Sequence, residues 1–179
     1  HDSQIRKCGI RVPGSMKRES PDAVIVYRGT NDFSHSPYAN LTDGYFDSFD
    51  YEYPSTDELP GGFGFLEGIA LTIEALRKAY PDSKIFLCTL NVFKRVGYSK
   101  FPTNNGMNSL PQYNEAIRKA ADFFGCGLIE FDKDGITFEN CYSEGYITDS
   151  QTEPTHPSAK GHRVMGDKAA SDLMAQWTW

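Results

Sequence analysis

Residues 21–32 read PDAVIVYRGTND and combine a predicted strand with the turn that follows it. Its middle, residues 23–27, is a continuous apolar, β-branched run bounded by a proline and a glycine. A run of this length without polar alternation is typical of a strand that is covered on both faces, as in a parallel sheet. The same form recurs at residues 84–90 (KIFLCTL) and more weakly at residues 127–131 (GLIEF). The sequence therefore predicts three strands of one parallel sheet.

Helical periodicity follows in the segments between and after these runs. Apolar residues spaced by three or four form a stripe that Pro81 ends, namely Leu66, Ile69, Ile73, Leu76 and Tyr80. A second helix is predicted from Ser109, which forms a capping-box pattern with Gln112, to a stop at Gly125. Its predicted core face is Tyr113, Ile117, Ala120 or Ala121, and Phe124. The last helix is predicted to start at Pro157 and to bury Met165, Ala169 and Leu173.

Alternating strands and helices imply right-handed crossovers and a three-layer α/β/α sandwich with a parallel, flavodoxin-like sheet. With 179 residues, the chain fits one domain, residues 1–179. The segments 34–62 and 91–108 are predicted to be loops. Both leave the carboxyl ends of strands, where open α/β sheets bind their ligands.

Composition excludes several classes of function. The formal net charge is -6 and no Lys/Arg run forms a basic stripe, so nucleic acid is not an expected partner. No apolar run approaches the length of a membrane span. The four cysteines lack C-x-x-C spacing, and no metal or cofactor pattern is found. Cys88 is predicted to be a buried free thiol, whereas a bridge between Cys126 and Cys141 stays open.

Two segments carry the candidate chemistry. Gly29-Thr30-Asn31-Asp32 follows the first strand directly, and Glu153-Pro154-Thr155-His156-Pro157, with Gly161, opens the last helix. Together, in this order and these contexts, they resemble the G-x-N-D and D-x-x-H blocks of SGNH (GDSL-like) hydrolases, the lipase/acylhydrolase family. Each alone has a simpler interpretation: a turn after a strand, and a histidine at a helix start.

The resemblance implies a serine ester hydrolase without a cofactor or metal. It implies that Asn31 donates to the oxyanion and that Gly29 permits the sharp turn and leaves room for the acyl carbon. His156 is the implied general base, fixed at the helix start by Pro157. The family's orienting Asp is replaced here by Glu153, and Asp149 is the alternative acid.

The family's first block, a strand ending in G-D-S, has no clear counterpart. No apolar strand precedes Ser3 or Ser15, and too few residues separate Ser3 from the strand at 23–27. We therefore expect the nucleophilic serine upstream of His1, with this chain forming the C-terminal three-quarters of the domain. The edge beside residues 23–27 should then be exposed and need the N-terminal segment, or another copy of the chain, to cover it.

The expected activity is hydrolysis of small O-acyl esters, with O-acetyl favoured, on carbohydrate or a similarly polar small molecule. Residues 1–179 alone are expected to be inactive. A non-catalytic carbohydrate- or ligand-binding module on the same fold is the alternative. The sequence of the first block discriminates the two, because only the enzyme needs the serine.

Overall fold

The computed structural model describes residues 21–30, 65–92, 103–104, 108–148 and 156–177. The strands are β1 (Ala23–Val26), β2 (Lys84–Cys88), β3 (Thr103–Asn104), β4 (Asn108–Ser109) and β5 (Gly127–Ile129). The helices are α1 (Phe65–Ala79), α2 (Leu110–Phe123), α3 (Asn140–Ser143) and α4 (Ala159–Gln176), with a 3-10 turn at Phe131–Lys133.

Strands β1, β2 and β5 form one parallel sheet in the order β1-β2-β5. Ile25 is aligned with Phe86, and Phe86 with Gly127. All three strands lie where the apolar runs predict them. Each strand ends earlier than predicted, β1 by one residue and β2 and β5 by two, and Phe131 begins the 3-10 turn after β5.

Strand β2 is buried on both faces, which explains its continuous apolar run. Ile85 and Leu87 pack into a cluster with α1 and α2, whereas Phe86 and Cys88 pack into a second cluster with α4. Successive side chains of a strand point to opposite faces, so helices cover both sides of the sheet. The predicted three-layer α/β/α architecture is confirmed.

The first two long helices bury the faces that their periodicity predicts. Leu66, Ile69, Ile73 and Tyr80 of the first stripe are buried. In α2, the Gln112 side chain accepts from the Ser109 N–H at 2.6 Å, and Gly125 follows the helix at φ +60°. These end signals are the ones visible in the sequence.

The predicted start of the last helix is wrong by two residues. Helix α4 begins at Ala159 with Ser158 as its N-cap, because the Ser158 hydroxyl accepts from the Gly161 N–H at 3.0 Å. Pro157 is not in the first helical turn but forms an isolated antiparallel bridge with Ile147. The predicted core residues of this helix are correct, since Met165 is buried and Ala169 and Leu173 pack against the same cluster.

The segment 91–108 contains a short element that the sequence does not predict. Strands β3 and β4 pair antiparallel, with Thr103 opposite Ser109 and Asn104 opposite Asn108. This pairing brings the chain back to the cap of α2. The segment therefore contains a short antiparallel strand pair and is not described throughout as a plain loop.

The two edges of the parallel sheet differ. On the outer side of β5, the Gln176 side chain bonds both the N–H and the carbonyl of Leu128, at 2.8 and 2.6 Å. Asp172 accepts from the Glu130 N–H at 2.8 Å. At the other edge, β1 pairs with β2, and among the described residues no strand pairs with its outer side. Ile25 and Tyr27 there are 48% and 43% exposed.

Candidate active site

The candidate site lies at the carboxyl end of the sheet. Helix α4 runs antiparallel to β5, since its later residue Gln176 bonds Leu128 and its earlier residue Asp172 bonds Glu130. The helix therefore starts beyond the carboxyl end of β5. His156 lies just before the start of α4, and Gly29 lies just after β1. Both residues therefore lie beyond the carboxyl ends of the strands.

Gly29 occupies a turn that favours glycine strongly. Its φ is +120°, and a Cβ atom would lie 2.8 Å from the Phe65 ring and 3.3 Å from Leu90. The sharp turn expected after β1 is therefore present. The absent side chain makes room for the core ring of Phe65, whereas room for the substrate acyl carbon at Gly29 stays a prediction.

His156 is exposed, and its backbone is bonded to the chain before it. The Thr148 N–H donates to the His156 carbonyl at 3.4 Å, and the neighbouring Pro157 bridges Ile147. An exposed imidazole just before the N-terminus of a helix is accessible to a bound substrate and can exchange protons with it. The position suits a general base, whereas a histidine buried in apolar packing would not.

The other two predicted site residues, Asn31 and Glu153, lie outside the described residues, as do Asp32 and Asp149. Of the four predicted site residues, the structure thus describes Gly29 and His156. Their contact with the oxyanion donor and the orienting acid stays a prediction.

Tyr27 reaches across the end of β2, a contact that the sequence does not indicate. Its hydroxyl donates to Asn91 Oδ1, and its ring meets Phe131 edge-to-face at 5.1 Å between centroids. Burial of the hydroxyl raises the pKa of Tyr27 to about 12. The phenol therefore stays protonated at neutral pH and acts as a fixed hydrogen-bond donor.

Asn114 of α2 holds the end of β2 from the other side. Its Oδ1 accepts from the Leu90 N–H at 2.8 Å, and its Nδ2 donates to the Leu90 carbonyl at 3.1 Å. Asn114 is 2% exposed. A lone asparagine on an apolar helix face is the sequence signal that could have identified it, because a buried amide needs partners.

A charged network fixes the end of β5. Arg118 donates to both oxygens of Asp132, at 2.7 and 2.6 Å, and to Glu130 at 2.8 Å. The Thr89 hydroxyl donates to Asp132 at 2.8 Å and accepts from its N–H at 3.2 Å. Burial alone would raise the pKa of Glu130, but hydrogen bonds from Lys133 and Arg118 lower it. These bonds join α2 to the ends of β2 and β5.

Asp134 comes next along the chain, and its carboxylate has fewer hydrogen bonds than that of Asp132. Its Oδ1 accepts from the Ile136 N–H at 2.8 Å, whereas Oδ2 is buried and has no hydrogen-bond partner among the described groups. Burial raises the pKa of its carboxyl. The carboxyl is therefore protonated more readily than an exposed aspartate.

Among the described residues, no disulfide joins Cys126 to Cys141. Cys88 is a free thiol 2% exposed, as predicted, and burial raises its pKa to about 12. Within the described ranges no group of three or more His, Cys, Asp or Glu is arranged to hold a metal ion. No helix in the same ranges is both long and apolar enough to span a membrane.

Solved structures with the same fold are found at low sequence identity. A protein from Lactobacillus plantarum is 18% identical with a TM-score of 0.67, over 95% of this chain and 74% of that one. A salicylyl-acyltransferase from a tetracycline biosynthetic pathway is 15% identical with a TM-score of 0.57, over 98% of this chain and 41% of that one. A possible lipase from Chitinophaga pinensis is 14% identical with a TM-score of 0.58, over 86% of this chain and 72% of that one.

These likenesses show the fold, and the chain spans only part of each neighbour's length. No curated protein gives a significant sequence match. A family model does match, over residues 7–164 of the 179, so the match covers both the Gly29 turn and the His156 segment. The chain belongs to the GDSL-like lipase/acylhydrolase family.

Proposed function

We propose that the protein is a serine esterase that hydrolyses small O-acyl esters of carbohydrate or a similarly polar alcohol. Among these, O-acetyl esters are the favoured substrates. Family membership indicates an acylhydrolase. The observation that carries the proposal is the location of the described residue of each motif, Gly29 and His156. Gly29 follows β1 and His156 precedes α4, so both lie beyond the carboxyl ends of the strands, and His156 is exposed.

In this proposal His156 takes the proton from the serine hydroxyl as the serine oxygen attacks the ester carbonyl carbon. The carbonyl π electrons move to oxygen, and Asn31 donates a hydrogen bond to the resulting oxyanion. The tetrahedral intermediate collapses as its bond to the alkoxy oxygen breaks, and His156 gives its proton to that oxygen. Water then attacks the acyl-enzyme carbonyl through the same two steps, which releases the carboxylic acid and restores the serine hydroxyl. Glu153 or Asp149 orients the imidazole.

The nucleophilic serine is proposed to lie upstream of His1, on a strand that pairs with the outer side of β1. The described part of β1 supports this, because Ile25 is 48% exposed on a strand paired along one side. An apolar strand in that condition is a template for another strand. The segment that precedes His1 is the proposed occupant, and another copy of the chain is the alternative.

The test uses the full polypeptide and p-nitrophenyl acetate. We expect hydrolysis by the unchanged protein and a loss of about a thousandfold or more in kcat for His156→Ala, because the general base is removed. His162→Ala is the matched control, since His162 is an exposed histidine of α4 and should leave kcat unchanged. Wild-type activity in the His156→Ala protein would contradict the proposal.

A further inference from the structure

The chain just before α4 is held by a compact set of contacts that the proposed mechanism does not use. We define the N-cap clamp as residues 145–148 together with residues 156–161. The Ser158 N–H donates to the Tyr146 carbonyl at 2.7 Å, and the Thr148 N–H donates to the His156 carbonyl at 3.4 Å. His156 is thus part of a short antiparallel pairing rather than of the helix.

The Ser158 hydroxyl joins the two halves of the N-cap clamp. It accepts from the Gly161 N–H at 3.0 Å, as an N-cap does, and it donates to the Gly145 carbonyl at 2.7 Å. Ser158 is 7% exposed, so its two hydrogen bonds are largely shielded from water. One side chain therefore ties the helix start to the strand that pairs with His156.

Gly161 sets how closely the two halves approach. A Cβ atom there would lie 2.2 Å from the Tyr146 carbonyl oxygen and 3.2 Å from Pro157 Cβ. Because the first contact is with backbone, a side chain at this position must push residues 145–148 away from the helix start. Gly166, later in the same helix, has nothing within 4 Å of its Cβ position.

We propose that Ser158 and Gly161 are positioning residues for His156, a proposal that rests on the esterase function above. The N-cap clamp holds the carbonyl of His156 and the residues that follow it, and so fixes where the exposed imidazole is held. A general base must lie within hydrogen-bond distance of the proton that it takes, and a shift of about 1 Å can cost about a hundredfold in rate.

The first test compares Gly161→Ala with Gly166→Ala in the full polypeptide. Gly161→Ala should lower kcat for p-nitrophenyl acetate by about tenfold or more with KM unchanged, since the base moves but the substrate contacts stay. Gly166→Ala adds the same methyl group to the same helix in open space. It should keep the wild-type kcat and raise Tm slightly.

The second test removes the hydroxyl. Ser158→Ala should lower kcat with KM unchanged, and Ser158→Thr, which restores a hydroxyl, should recover kcat. Ser109→Ala is the control, because it removes the same hydroxyl from the N-cap residue of α2, a different helix, and should leave kcat unchanged. Should Gly161→Ala fail to fold, the Ser158 pair still decides the question.

The outcomes separate the two proposals. A fall in kcat for Ser158→Ala with recovery in Ser158→Thr supports the positioning role. Wild-type kcat in Ser158→Ala, together with loss of activity in His156→Ala, overturns the positioning role and leaves the esterase function standing. Wild-type kcat in His156→Ala overturns both.

Discussion

The outer side of β5 and the outer side of β1 are completed in different ways. Helix α4 supplies Gln176 and Asp172, one turn apart, whose side chains bond the backbone of Leu128 and Glu130 as a neighbouring strand would. Strand β1 has no such helix among the described residues, and Ile25 is half exposed. Within the part of the chain that the structure describes, side chains of α4 complete one edge of the sheet, and no strand pairs with the other edge.

The difference bears on function as well as on stability. The closed edge anchors α4, and with it the position of His156 at the helix start. The open edge lies beside β1, whose end carries the Gly29 turn. A strand added there would end next to that turn, because the carboxyl ends of parallel strands meet at one edge. The proposed serine would lie at the carboxyl end of that added strand.

The largest effect of the edge variants is expected at the closed edge. Asp172→Ala removes the acceptor for the Glu130 N–H and the partner of Lys168, which lies 2.7 Å away. We expect a loss of about 2 kcal/mol in the free energy of unfolding, since a half-buried N–H and an ammonium lose their partner. Urea unfolding measures it.

The control for that change is Asp167→Ala, an exposed aspartate of the same helix, which should stay within about 0.5 kcal/mol of wild type. Asp172→Asn should recover part of the loss, because the amide oxygen still accepts from Glu130. Equal stability of Asp172→Ala and Asp167→Ala would mean that α4 does not close this edge.

The smallest effect is expected at the open edge. Ile25→Ser in residues 1–179 should change the free energy of unfolding by less than about 0.5 kcal/mol, because the side chain is 48% exposed. Ile85→Ser, at the 6% exposed isoleucine of β2, should cost several kcal/mol, about 3 or more.

The same two substitutions are also made in the full polypeptide, and their costs in free energy of unfolding are compared with those in residues 1–179. If the segment before His1 covers β1, the cost of Ile25→Ser should rise to about 2 kcal/mol there, toward that of a buried isoleucine. A cost that stays below about 0.5 kcal/mol in both proteins would show that nothing packs on Ile25, and the proposed occupant would be wrong.

Local patterns made most of the fold predictable from the sequence. The run at residues 23–27 and the stripe before Pro81 depend on residues near one another, and both were found where predicted. The start of α4 was misplaced because two N-terminal signals, Pro157 and Ser158, lie side by side. The bonds of Ser158 to Gly145 and Gly161 decide between them.

Contacts between distant residues account for what the sequence could not provide. Asp132 meets Thr89 across 43 positions, and Tyr27 meets Asn91 across 64. Neither pair forms a local pattern, so only the sheet order brings them together. Gly29 and His156 are predicted as site residues from short motifs, which can be read without knowing the fold, and their roles stay predictions.

In the proposed mechanism, a serine upstream of His1 is activated by His156 and attacks the ester. The most direct measurement is fluorophosphonate labelling of the full polypeptide, followed by mass spectrometry of the labelled peptide, in wild type, His156→Ala and His162→Ala. We expect one labelled serine upstream of His1, with labelling lost in His156→Ala and kept in His162→Ala. A label within residues 1–179, or labelling that does not depend on His156, would contradict it.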